Sequence, residues 1–207
     1  MRKTVIIALV LFITTITSQA QVKVSPGLRA GTNFSTLSNI EDASFKTDFY
    51  VGALVAIKFN KYFTLQPELT YSRQGSEGIS YDPQNPYIRS YKKDYELNYL
   101  SVGAVAKYHF NGSGFHILGG PSADFKTSDN FKQNEFDPID FDLSIIGGFG
   151  YSLPNGLTFE ARIKQGLIDI YGYNEYQYNN NNNNNRYDDA ILNQVFQIGV
   201  SYTFKMK

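Results

Sequence analysis

The stretch Leu192 to Phe204 alternates without a break. Phe196, Ile198, Val200, Tyr202 and Phe204 fall on one parity; Val195, Gln197, Gly199, Ser201 and Thr203 fall on the other. A period of two places successive side chains on opposite faces of an extended strand, and here one face is apolar. The stretch is long enough for a tilted strand to cross a bilayer, which takes about 9–11 residues. It ends on an aromatic, with Lys205, Met206 and Lys207 beyond it. The other strands of the chain are expected to close onto this one.

The N-terminus opens Met1-Arg2-Lys3, runs apolar from Val5 to Ile16, and continues Thr17-Ser18-Gln19-Ala20-Gln21. A positive start, a short apolar core and small residues at Ser18 and Ala20 form a secretory signal peptide, with cleavage expected after Ala20. The apolar run falls short of the roughly 20 residues of a membrane helix. The expected division is therefore 1–20 signal peptide and 21–207 a single β-barrel domain. Losing Arg2 and Lys3 takes the basic residues from 19 to 17 against 19 acidic. That balance is no footprint for nucleic acid. The chain has no cysteine, which rules out disulfides, a lipid-modified N-terminal cysteine and thiol chemistry.

Period-two segments recur along the chain, at roughly 24–35, 48–59, 63–74, 94–110, 115–126, 140–153, 157–168 and 192–204. Between them come polar connections alternating with tight turns at Asn60-Lys61-Tyr62, Asn111 to Gly114, and Pro154-Asn155-Gly156. Eight antiparallel strands with short turns at one end and long loops at the other is the pattern of an up-and-down outer-membrane barrel. It places both termini at the short-turn, periplasmic end. A soluble lipocalin-like barrel also alternates, with its apolar face inside. Two features favour the membrane form. Aromatics bound the apolar faces, as with Phe49 and Phe59, Phe63 and Tyr71, Phe141 and Tyr151, Tyr202 and Phe204. The opposite faces combine glycine with Lys58, Glu68, Lys107, Asp142, Glu160 and Arg162, as suits a narrow interior.

The segment Leu65-Gln66-Pro67-Glu68-Leu69-Thr70-Tyr71-Ser72-Arg73-Gln74-Gly75 resembles the third strand of the PorT-like outer-membrane β-barrel proteins. Leu118-Gly119-Gly120-Pro121, and Phe159-Glu160-Ala161-Arg162 through Gln165-Gly166-Leu167, resemble its fifth and seventh. The resemblance extends over nearly the whole mature chain. It implies an eight-stranded barrel of a Gram-negative outer membrane and implies no activity.

No motif carries catalysis or binds a cofactor or metal. His109 and His116 flank the Asn111 turn without a carboxylate cluster, and are read as surface or interfacial residues. Glu135, Asp137, Asp140 and Asp142 lack the EF-hand order and are read as an acidic solvated loop. Gly147-Gly148-Phe149-Gly150 is strand glycine that makes room inside a narrow barrel rather than a phosphate loop. Tyr171, Tyr173, Tyr176, Tyr178 and Tyr187 surround the asparagine run 179–185, as a tolerant low-complexity insertion or an adaptable contact surface.

The expected partners are outer-membrane lipid and, during assembly, the barrel-insertion machinery, for which Tyr202 and Phe204 serve as the signal. Any external ligand is unreadable from the sequence. Counting residues from the flanking turns sets Glu68 against Arg162 across the barrel, with Glu160 and Lys107 slightly lower. These four form an interior charge cluster and predict a plugged barrel. Pro67 and Pro121 lie inside strands, where each needs a bulge or a gap in the ladder. The function expected is structural or adhesive, through long extracellular loops and without catalysis. A narrow channel or transporter, and a soluble periplasmic lipid-binding barrel, stay open as alternatives.

Overall fold

The computed structural model describes residues 22–38, 44–79, 92–130, 139–170 and 190–204. Within them eight strands form one closed barrel in chain order. They are β1 (Lys23–Leu37), β2 (Ser44–Lys58), β3 (Phe63–Ile79), β4 (Lys92–His109), β5 (Phe115–Asp129), β6 (Phe141–Ser152), β7 (Leu157–Gly166) and β8 (Asn193–Thr203). All neighbouring pairs are antiparallel, and β8 closes onto β1. Closure gives every strand a paired neighbour on both sides and leaves no free edge, as a lipid environment demands.

Several strands run past the ends that alternation suggests. β3 and β4 stay paired up to Ile79 opposite Lys92, inside what reads in sequence as a loop starting at Gly75. β2 begins at Ser44, paired with Glu77, within the expected loop 36–47. Beyond a bilayer both faces of a ribbon meet water, so the apolar rhythm fades while backbone pairing continues. The first long connection thereby contracts to 38–43.

Polarity is apolar outside and polar inside. Ile163, Phe149 and Leu28 are 62%, 57% and 56% exposed, whereas Arg162, His116, Gln66, Gln74 and Asn33 are buried. This inverts the arrangement of a soluble lipid-binding barrel. Ring pairs mark two belts on the outer face. Phe49–Tyr71 and Phe125–Phe141 lie toward the long connections. Tyr62–Tyr108, Phe110–Phe115 and Tyr202–Phe204 lie toward the short turns. Aromatic girdles at two levels bound the band that faces hydrocarbon.

The short turns have local causes. Asn60 Oδ1 accepts the amides of Tyr62 and Phe63, each at 2.8 Å, which folds the β2–β3 link back on itself. Gly156 turns β6 into β7 at φ +99°, a conformation L side chains rarely adopt. Its carbonyl then accepts the amide of Thr203 at 3.0 Å, tying the turn to the end of β8. Inside, the Tyr50 hydroxyl lies against Gly199, where a Cβ would collide with it.

The two prolines sit at gaps. Pro67 is opposite Ala104 in β4, but the β2–β3 register has no partners between Leu54–Glu68 and Ile57–Leu65. Pro121 is opposite Ile145 in β6, but the β4–β5 register is interrupted between Gly103–Ser122 and Ala106–Gly119. Each residue without an amide proton thus has its ladder open on one side only.

Tyr202 pairs with Leu28 on one side and Leu157 on the other, and the Phe204 amide donates to the Pro26 carbonyl at 2.7 Å. Deleting 202–207 removes these rungs at the closing seam. The truncated protein is expected to be protease-sensitive and to lose heat-modifiable gel mobility. A normally shifting, protease-resistant band would show that the seam closes without them.

Candidate functional site

Inward-facing parity brings ionised side chains from four strands to the middle of the barrel. Arg162 on β7 is buried, 1% exposed. Its guanidinium grips Glu68 of β3 as a fork, Nη1 to Oε2 and Nη2 to Oε1, both at 2.8 Å. The same guanidinium donates to Glu160 Oε2 from Nε at 3.1 Å and from Nη2 at 2.7 Å. Lys107 of β4 donates to Glu160 Oε1 at 2.5 Å. Arg29 of β1 donates to Glu68 Oε2, and Gln66 Nε2 to Glu68 Oε1 at 2.6 Å. Both carboxylates are therefore contacted on both oxygens. Bidentate, charge-assisted bonds of this kind are about twice as strong as neutral ones.

Further layers continue the filling. Toward the long connections, Lys164 bonds Asp124 at 2.6 Å, and Asp124 accepts from Ser122 at 2.9 Å and Ser144 at 2.6 Å. Asn33 donates to the Ser72 hydroxyl and accepts from Gln197, while Asn193 donates to Gln74. Above these, Leu37, Leu97, Tyr99 and Ile170 form a buried apolar cluster with Ile191 packed against it. Beside Arg29 a cavity of about 20 Å³ remains, lined also by Glu68, Thr70, Ser101 and Lys164. That is room for about one water and not for a passing solute.

The structure brings Glu68, Lys107, Glu160 and Arg162 into one bonded network. Sequence reasoning left out Arg29, on the inward parity of β1, which completes the coordination of Glu68. The histidines need correction. His116 and His109 are 0% and 7% exposed, so they are interior residues and not surface or interfacial ones. Their rings lie 4.9 Å apart. His116 Nε2 lies 3.3 Å from Glu160, and His109 Nε2 lies 3.3 Å from Thr64 Oγ1. Their inward parity, shared with Lys107 and Leu118, was the available signal; proximity to a turn obscured it. Tyr202 and Phe204 lie on the outer face, 44% and 45% exposed, with rings 5.3 Å apart. Glu135, Asp137 and the Tyr/Asn segment 171–189 lie outside the described residues, as does the leader 1–20. Among the described residues no group of three or more His, Cys, Asp and Glu could hold a metal ion.

Arg162→Ala leaves Glu68 and Glu160 short of their main partner in a water-poor interior. It is expected to destabilise the folded barrel by roughly 3–5 kcal/mol, the range for breaking a buried ion pair. Glu68→Ala in that background is expected to recover part of the loss, because the two side chains are directly coupled. Urea unfolding in lipid vesicles measures both, and strictly additive effects would contradict the coupling.

No curated protein matches the chain in sequence. In solved structures it is similar to Neisserial surface protein A, with 13% identity, a TM-score of 0.53, and coverage of 87% of this chain and 99% of that one. It is also similar to Ail, the attachment invasion locus protein of Yersinia pestis, in a complex with the heparin analogue sucrose octasulfate. That match has 13% identity, a TM-score of 0.46, and coverage of 88% and 99%. OprG from Pseudomonas aeruginosa gives 12% identity, a TM-score of 0.46, and coverage of 91% and 99%. At such identities the likeness is one of fold. The family described as outer membrane protein beta-barrel domain matches residues 19–172, most of the chain. With its closed, outward-apolar barrel, the chain belongs to that family and is an outer-membrane protein of a Gram-negative bacterium, seated in the lipid bilayer.

Proposed function

We propose that the protein is a non-enzymatic surface barrel, structural or adhesive, whose long connections make contacts outside the cell. The observation that carries this reading is the filled interior. An ionic lattice spans the middle and an apolar cluster lies above it, so the strands hold a platform rather than a pore. An eight-stranded barrel is only wide enough for side chains to fill. What meets the outside is then the set of connections 80–91, 130–140 and 167–192.

The same reading places the short turns and both termini in the periplasm. The leader 1–20 is removed on export. Tyr202 and Phe204 at the end of β8 are read by the insertion machinery, and the finer kinship is with the PorT-like barrels. The order of the motifs in β3, β5 and β7 supports that kinship.

A filled barrel is expected to show no steady conductance when purified protein is reconstituted in planar bilayers. Stable, ion-selective openings in the unmutated protein would instead favour the channel reading.

Replacing 173–187 with a short Gly/Ser linker is expected to leave folding intact, since each doubling of loop length costs only about 0.6 kcal/mol. Binding of intact cells to host or neighbouring surfaces is expected to fall. An epitope tag in the same segment should be reachable on intact cells. Labelling only after outer-membrane disruption would invert the topology.

A further inference from the structure

We propose that the short-turn end of the barrel holds a binding vestibule for a multiply charged oxyanion, a phosphate-bearing group above all. Its periplasmic location rests on the topology proposed above; its chemistry does not. The barrel is not filled evenly. Below the ionic lattice opens a cavity of about 250 Å³. One water needs about 10–15 Å³, so this space suits a ligand of several heavy atoms.

The lining is one-signed. Its charged members are Lys23, Lys58 and Lys107, joined by the His109 ring and by hydroxyls from Ser25, Thr64, Ser152, Thr158 and Thr203, and it has no carboxylate. Glu160 pairs with Lys107 but is not part of the lining. The register makes the cations a row. Lys23 is directly opposite Lys58, Lys58 opposite Thr64, and Thr64 opposite Lys107, across β1, β2, β3 and β4. Like charges directly opposite on neighbouring strands are destabilising. Among the described residues neither Lys23 nor Lys58 has an ion-pair partner. Two exposed lysines without an ion pair among the described residues thus face each other above Lys107, which Glu160 holds.

The floor is built as well as charged. Lys107 is 4% exposed, Thr64 5% and Gln66 2%. Lys107 is held by Glu160, and Thr64 by His109. The rim lysines are exposed and can swing onto a ligand. Fixed donors below and mobile cations above match an anion that enters from solution or from a head group at the membrane surface. Such a cleft concentrates anions, and salt weakens the effect.

The test uses the folded mature protein in maltoside detergent, titrated with inorganic pyrophosphate by calorimetry at low ionic strength. Saturable binding is expected, weakening as sodium chloride is added. The double variant Lys23→Gln/Lys58→Gln is expected to bind roughly tenfold more weakly, the weight of two partly exposed charges. Heat-modifiable mobility checks that it still folds. Lys61→Gln, an exposed lysine at the same end but outside the lining, is expected to change nothing. No saturable binding by the folded wild type, an undiminished double variant, or an equal loss in Lys61→Gln would overturn the proposal. Nanodiscs containing phosphatidylglycerol separate the sources. Pyrophosphate binding retained there identifies a soluble ligand, and its competitive loss identifies a lipid head group; either supports the site. Because binding is read in detergent, it succeeds or fails independently of which end faces the periplasm.

Discussion

The guanidinium of Arg162 is the interaction on which the interior depends. It holds Glu68 with one edge and Glu160 with the other, and through them Arg29, Gln66, Lys107 and His116. An isolated charge in such a place would be very costly, so each member requires its neighbours. The network therefore has to form as a unit. It also ties walls that backbone pairing leaves apart, since β3 and β7 are four strands distant in the closed order. Buried ion pairs are weak evidence of net stability, because desolvation offsets much of the attraction. Their better-supported effect here is geometric. They fix which residues meet in the lumen.

Much of this was legible because a strand repeats every two residues and a turn marks where counting starts. Glu68 and Arg162 follow the Asn60 and Gly156 turns, so their matched depth could be read from the sequence. Arg29 has no turn before it in β1, and its depth could not be counted the same way. The apolar cluster was hidden for a different reason. Leu37 falls in what reads as a polar loop, and Ile170 lies past the expected end of β7. Strand pairing above the membrane has no apolar rhythm to reveal it. His109 and His116 were misplaced because a turn neighbour reads as surface, whereas a tilted, sheared barrel also turns rim residues inward.

The prolines show how a closed sheet tolerates a missing donor. Each keeps its pairing on one side and gives up a short piece of ladder on the other. The Pro67 gap faces β2 and the Pro121 gap faces β4, where Ala104, the β4 partner of Pro67, lies within the second gap. Behind that region the interior is apolar: Val105, Leu118 and Ile146 form a buried cluster. Apolar side chains thus stand behind the seam that Pro121 interrupts.

The two ends of the barrel are built on opposite principles. Toward the long connections the lumen holds a buried, mainly apolar cluster of Leu37, Leu97, Tyr99 and Ile170. Toward the short turns it ends in a wide cationic cup whose rim lysines face one another without an ion-pair partner among the described residues. A protein that served only as a passive plug would have no use for this asymmetry, because burying the same apolar residues at both ends would seal it equally well. The described lumen is therefore apolar toward one end and cationic toward the other, with the Arg162 lattice lying between the two.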